Sequence, residues 1–342
     1  MARAATAVGK RPRGRPRKIT TALGGEAVTK KNTTTLREPI KREPISRDPI
    51  PREPVALATK DVTKKIDDLI HAIRKEFGPE SIGRLGEYDT NVETFPTGSD
   101  QLDAAIGVGG FPLAKLVQIT GGESAGKSTL INYLAAQAQR QGIIVYFLDG
   151  EQSEGNDRAT AIGVNTNMLP ISEPLTLEDA FKKMWKAIER MSKWDTPSLI
   201  MLDSIAALPM QVDLDRPFDE ESRRAARASF LSANLGKLVN PLKGTKIGLI
   251  FVNQLREKAN VTNPYEKKTY SPGGRALRHW CHLTLEVSRF GMKKQGTEPI
   301  GITSRIRVEK SKLAPPFKTA MLNMYFDGRV EDAEATGRGS DE

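Results

Sequence analysis

Gly121-Gly122-Glu123-Ser124-Ala125-Gly126-Lys127-Ser128, followed by Thr129, sets two glycines, a lysine and a hydroxyl at the spacing G-x-x-x-x-G-K-[ST]. Such a loop turns its backbone N–H groups toward phosphate oxygens. Lys127 can then reach the β and γ phosphates, and the Ser128 hydroxyl can ligate magnesium. The chemistry implied is binding and hydrolysis of a nucleoside triphosphate. Three more side chains complete it, each just beyond an apolar run. Asp203 follows residues 199–202 and suits the magnesium shell. Glu151 follows the run 143–148 and is the carboxylate to orient and deprotonate an attacking water. Gln254 follows 247–252, where its amide can sense the γ phosphate.

These side chains need a common edge. The run 116–119 leads into the glycine loop, and a helical pattern over 130–138 leads out of it. Short apolar runs alternating with helical patterns predict an α/β fold, a mostly parallel sheet flanked by helices on both faces. Ligands of open α/β sheets bind beyond the carboxyl ends of the strands, where all four runs place their polar residues.

The chain has 342 residues and 38% hydrophobic content, enough for a sizeable core. Its net charge of +10 is unevenly spread: residues 1–60 hold 15 Lys or Arg and 5 Asp or Glu, and the remainder holds 37 of each. A basic arm on a neutral body points to nucleic acid. No stretch approaches the ~18 apolar residues of a membrane span, so no membrane partner is expected. One cysteine, Cys281, excludes an internal disulfide and suits a cytoplasmic location. Pro12, Gly14 and Pro16 would break the amphipathic helix of an organelle transit peptide. His279, Cys281 and His282 crowd into one short segment with no second cluster to finish a zinc site, so packing is expected of them.

The arm, residues 1–58, lacks a hydrophobic period and is expected to be disordered. It contains Arg13-Gly14-Arg15-Pro16, the core of an AT-hook, which lies extended in the narrow minor groove of A·T-rich duplex. Arg37-Glu38-Pro39-Ile40 then recurs every five residues as Arg42-Glu43-Pro44-Ile45, Arg47-Asp48-Pro49-Ile50 and Arg52-Glu53-Pro54-Val55, a semi-stiff spacer. Val62, Ile66, Leu69, Ile70, Ile73 and Phe77 predict a helix from Asp61. The expected divisions are the arm to 58, a helical oligomerisation segment over 59–95, an ATPase core over 96–330 and an acidic flexible tail over 331–342.

From about Lys64 to Val330 the chain resembles the bacterial RecA recombinase family and its phage relatives. The segments Phe77-Gly78-Pro79-Glu80-Ser81-Ile82, Val92-Glu93-Thr94-Phe95-Pro96-Thr97-Gly98-Ser99 and Gly109-Gly110-Phe111-Pro112 carry the likeness into the loop. The resemblance implies ATP and Mg2+ as cofactors, a helical homo-oligomeric filament on single-stranded DNA, pairing with double-stranded DNA, and single-strand-binding and loading proteins as further partners. By position, Lys127, Ser128, Glu151, Asp203 and Gln254 resemble the family's phosphate, magnesium, catalytic, Walker B and coupling residues. Lys310 and Lys312 match a pair that reaches the neighbouring subunit's ATP. Two loops, about 209–227 and 255–270, stand where the family faces DNA. Their candidate contacts are Arg227, Arg256, Lys258, Lys267, Lys268, Gly273, Gly274 and Arg275, with Val261 and Tyr265 as wedges between bases. Three departures stand out: the second loop is longer, the first differs in composition, and the segment after Glu151 lacks the family's adenine-stacking aromatic, for which Arg158 is the expected substitute. The family's C-terminal DNA-gathering domain is not expected here, and the tethered hook is expected to take its role. A RecA-core motor without strand exchange, or an architectural A·T-rich DNA binder, are the rival readings.

Overall fold

The computed structural model describes residues 60–87, 91–152, 155–215, 224–257, 269–270 and 273–334, and the chain divides into two units, Met1–Gly83 and Arg84–Glu342. The hook and the spacer repeat lie outside the described residues. In the first unit, helix α1 (Lys60–Phe77) starts one residue ahead of the expected Asp61, which instead pairs with Lys65 at 2.7 Å in its first turn. Along its apolar stripe Ile70 is buried, whereas Val62, Ile66, Leu69 and Phe77 are exposed. Beyond the helix, the Arg74 Nε donates to the Ile82 carbonyl at 2.9 Å and folds the following turn back on the helix end.

The second unit opens with an antiparallel pair, β1 (Thr94–Phe95) and β2 (Phe111–Pro112), around helix α2 (Asp100–Ile106). Four βα steps follow: β3 (Leu116–Gly121) and α3 (Lys127–Arg140), β4 (Ile144–Asp149) and α4 (Asn156–Ile162), β5 (Ile171–Ser172) and α5 (Leu177–Met191), then β6 (Ser198–Asp203) with α6 (Gln211–Leu214) and α7 (Arg224–Val239). After β7 (Ile247–Gln254) come the short pair β8 (Arg256–Glu257) and β9 (Thr269–Tyr270), helix α8 (Gly274–Trp280), and the antiparallel run β10 (Leu283–Gln295), β11 (Glu298–Ser311), β12 (Thr319–Tyr325) and β13 (Val330–Asp332).

Among the described residues, nine strands form one sheet in the order β13-β12-β11-β10-β3-β7-β6-β4-β5. From β10 to β5 all neighbours run parallel, and from β10 to β13 they alternate. β3 and β6 are buried along their whole length, as strands covered on both faces must be. One face packs against α2, α3 and α4 through residues such as Leu102, Leu130 and Ile131. The other packs against α5, α7 and α8 through Phe181, Met184, Leu231 and Leu277.

Two expected boundaries shift. β1 belongs to the sheet-bearing unit although it precedes residue 96. At the far end, β13 continues the sheet past 330, and Asp332 accepts from the Gln101 N–H at 3.1 Å and from the Ser99 hydroxyl. Residues 331–333 are therefore part of the fold, since a carboxylate with two donors and a paired backbone is held by the body.

Candidate nucleotide site

Parallel pairing aligns the carboxyl ends of four neighbouring strands. Gly121 stands opposite Gln254, and Asp149 opposite Asp203. The glycine loop runs from β3 into α3 at this edge. Its last glycine, Gly126, has φ 96°, a conformation that strains any residue with a Cβ, and a Cβ there would lie 2.6 Å from the Met324 Sδ. The loop is also pinned from outside, because the Ser304 hydroxyl on β11 donates to the Ala125 carbonyl at 2.9 Å. Lys127 is nearly buried, and its Nζ donates to the Gly122 carbonyl at 2.7 Å. Burial lowers the Lys127 pKa, opposed by the nearby negative charges of Asp203, Glu151 and Glu123.

Asp203 is 4% exposed and accepts from the Ser128 hydroxyl at 2.9 Å. Burial, together with the charge of Glu151, pushes its pKa up to about 7. A buried carboxylate and a hydroxyl side by side offer the hard oxygen donors that a divalent cation prefers, and such a cation would relieve the cost of the buried charge. Magnesium thus fits the residues present, and Ser128 and Asp203 are the side chains that would hold it.

Glu151 sits just beyond β4, and one of its oxygens is shared. The Ser204 hydroxyl donates to Oε1 at 2.7 Å, and the Gln254 Nε2 donates to the same atom at 2.9 Å. Residues from the ends of three strands thus meet at one carboxylate. Along the other side of the loop, the Arg158 Nη2 on α4 donates to the Thr129 Oγ1 at 2.8 Å. The resulting cleft, about 830 Å³, is closed by Ile302, Met324, Tyr325 and Phe326 from β11, β12 and the turn after it. Arg329 stacks over the Tyr325 ring at 4.5 Å and helps hold that turn.

The structure brings together the loop residues Gly121 to Thr129 with Glu151, Arg158, Asp203 and Gln254. Other expected site residues lie elsewhere. Lys310 and Lys312 are spent on the C-terminal end of α8: Lys310 donates to the carbonyls of Arg278 and Cys281, the latter at 2.7 Å, and Lys312 to that of His279 at 2.8 Å. Ammonium groups at a helix C-terminus are favoured by its unpaired carbonyls. Arg227, expected to meet DNA, turns its guanidinium inward onto backbone carbonyls of residues 205–208. Arg256 and Arg275 are exposed, and Gly273 caps α8 with φ 101°. Arg13, Gly14, Arg15, Pro16, Lys258, Val261, Tyr265, Lys267 and Lys268 lie outside the described residues, and Gly274 opens α8. Of the three crowded residues near 280, Cys281 is buried and its thiol is pushed up to about 12, while the His282 Nδ1 accepts from the Leu116 N–H at 3.2 Å. Sequence reading missed Ser204, Ser304, Tyr325 and Phe326. Ser204 directly follows Asp203, which was a usable signal; the other three come from an antiparallel region with no motif.

A nucleotide loop at the carboxyl edge of a parallel sheet, with an acid on the next strand but one, defines a P-loop nucleoside triphosphatase. Residues 64–331 match the family model described as the RecA N-terminal domain, and the chain belongs to the RecA family. It is 38% identical to Protein RecA of Fusobacterium nucleatum over 264 residues, spanning 77% of this chain and 68% of that protein. It is likewise 38% identical to Protein RecA of Thermus thermophilus over 274 residues, 80% of this chain and 78% of that one. Protein RecA of Oceanobacillus iheyensis shares 36% over 283 residues, 82% and 80% respectively. The chain is accordingly an ATP-dependent DNA recombinase of recombination and repair, with DNA-dependent ATPase activity, nucleotide binding, DNA binding and filament formation. None of its described helices is long and apolar enough to cross a membrane.

Proposed function

We propose that Glu151 is the general base of ATP hydrolysis and that the loop, Asp203 and Gln254 assemble the reaction around it. The carrying observation is the shared Glu151 oxygen, fixed by Ser204 and Gln254 beside the Ser128–Asp203 pair. Two donors on one carboxylate oxygen leave the other oxygen to take a proton from water. Lys127 and the loop N–H groups hold the triphosphate and stabilise its charge as the γ phosphoryl departs. Ser128 and Asp203 would hold magnesium, which would supply charge neutralisation to the triphosphate. Gln254 gives up its bond to Glu151 when a γ phosphate offers better acceptors, and this moves the start of the second loop at Leu255.

At the nucleobase end, Arg158 stands in for the missing aromatic, with its guanidinium tied to Thr129 and with Tyr325 and Phe326 lining the same cleft. Lys310 and Lys312 exchange the α8 carbonyls for the neighbouring subunit's ATP when a filament assembles, which couples α8 to nucleotide. Arg256, Lys258, Lys267, Lys268, Gly273, Gly274 and Arg275 approach the single strand. The arm's Arg13-Gly14-Arg15-Pro16 captures A·T-rich duplex for pairing, with the spacer repeat setting its reach. The buried lone thiol accords with a cytoplasmic setting, where single-strand-binding and loading proteins are the further partners.

Lys127→Ala should abolish ATP-dependent strand exchange, measured as D-loop formation on supercoiled plasmid; near-normal D-loops would defeat the site assignment. A chain shortened to begin at Ala58 should keep single-strand binding and DNA-stimulated hydrolysis but lose duplex capture. Unchanged duplex affinity and exchange would remove the hook's role.

A further inference from the structure

Arg227 is a half-buried arginine in the first turns of α7, directly after residues 216–223. Its guanidinium donates to three carbonyls: Ile205 at 2.6 Å, Ala206 at 3.3 Å and Leu208 at 2.5 Å. A rigid planar fork holding three acceptors fixes a backbone turn in a way one ammonium cannot. That turn begins at Asp203 and Ser204. It is clamped on its other side as well: the Gly150 N–H donates to the Asp203 carbonyl at 2.6 Å, the Ile205 N–H donates to the Val252 carbonyl at 3.0 Å, and a Cβ on Gly150 would lie 2.9 Å from Leu208. The chain 203–208 is thus a strap, with Arg227 gripping its far half and the Ser204 hydroxyl on Glu151 at its near end.

We infer that Arg227 is a positioning residue for ATP hydrolysis, which holds Ser204 against Glu151 through the 205–208 turn and so ties the end of the first loop to the base. The inference rests on Glu151 being that base. It adds a second input to the carboxylate: Gln254 brings the second loop to Oε1 directly, and Arg227 brings the first loop to the same atom through Ser204. Because Arg227 stands in the first turn of α7, a shift of that helix end on DNA slackens or tightens the strap. The guanidinium already meets its acceptors on the turn, so it is not a phosphate ligand. Burial lowers its pKa, with Arg256 adding to the effect, yet leaves it a cation at neutral pH.

The test uses the full chain as Arg227→Ala, Arg227→Lys, Ser204→Ala and the Arg227→Ala/Ser204→Ala pair. Hydrolysis is followed with and without an oligonucleotide, together with amide hydrogen exchange across 205–208. Each single variant should lower kcat by roughly tenfold with the KM for ATP held within about twofold, and the pair should be no slower than Ser204→Ala alone. Arg227→Lys keeps the charge but not the fork, so it should fail to restore kcat. Exchange across 205–208 should rise in both Arg227 variants and stay near wild type in Ser204→Ala. Multiplicative losses in the pair, or unaltered exchange, overturn the inference. So does a normal kcat joined to a salt slope of oligonucleotide binding smaller by about one, the signature of a lost phosphate contact. A wild-type chain that failed to hydrolyse ATP would count against the site assignment, while amide exchange would still decide the strap.

Discussion

Gly126→Ala should weaken both the fold and its grip on nucleotide, in amounts that the structure separates. At φ 96° an alanine incurs the left-handed penalty of about 1–2 kcal/mol. Its Cβ would also lie 2.6 Å from the Met324 Sδ and 3.0 Å from the Ser304 Oγ. Met324 is unbranched and can yield, so this crowding adds about 1 kcal/mol, the low end for an overpacked site. The total, about 2–3 kcal/mol, corresponds to a melting temperature lower by roughly 4–10 °C in a body of this size. Any part relieved by opening the loop reappears as weaker ATP binding, because Ser304 then loses the Ala125 carbonyl that holds the loop in register. Differential scanning fluorimetry and titration with a non-hydrolysable ATP analogue read the two parts. Adding Met324→Ala to Gly126→Ala should relieve the crowding but not the backbone penalty, so affinity should recover only in part. Full-strength nucleotide binding by Gly126→Ala would refute the account of the loop, and complete recovery in the pair would refute the backbone half of it.

Two pH effects follow from buried ionisable groups. Asp203 has its folded pKa raised to about 7 against an ordinary 3.8, so the nucleotide-free fold binds a proton the unfolded chain has lost, and stability from this group declines as pH rises toward 7. Asp203→Asn should therefore flatten the melting profile between pH 5.5 and 8 while abolishing hydrolysis; an unchanged profile in thermal melts would contradict the assignment. His282 is driven the other way, to about 4, by burial first and then by Lys115 and Lys312. Its neutral ring, accepting from Leu116, stabilises the fold above about pH 6.5, and that contribution is lost as pH falls toward 4. His282→Asn should weaken the melt at pH 7 and narrow the loss on acidification, and equal acid sensitivity in both proteins would argue against it.

The local chemistry was legible in the sequence because it depends on short-range rules. A glycine loop between an apolar run and a helical pattern, and acids just beyond buried strands, are recognisable within ten residues or fewer, since a strand end fixes where the next side chain points. Glu151, Asp203 and Gln254 were identifiable in this way. Arg158 was named only through the resemblance, as the substitute for an absent aromatic, and the fold places it beside the loop at Thr129. What only the tertiary structure decided was which of these polar groups share atoms. Ser204 and Gln254 are far apart in the chain, and they meet on Glu151 because β4, β6 and β7 are neighbours in register. The resemblance implied that Arg227 would meet DNA and that Lys310 and Lys312 would meet a neighbouring ATP, and within the single chain the fold gives each of them backbone carbonyls. A basic residue's sequence reveals its charge. Its partner is set by which unpaired carbonyls packing leaves within reach, and that depends on contacts between distant segments.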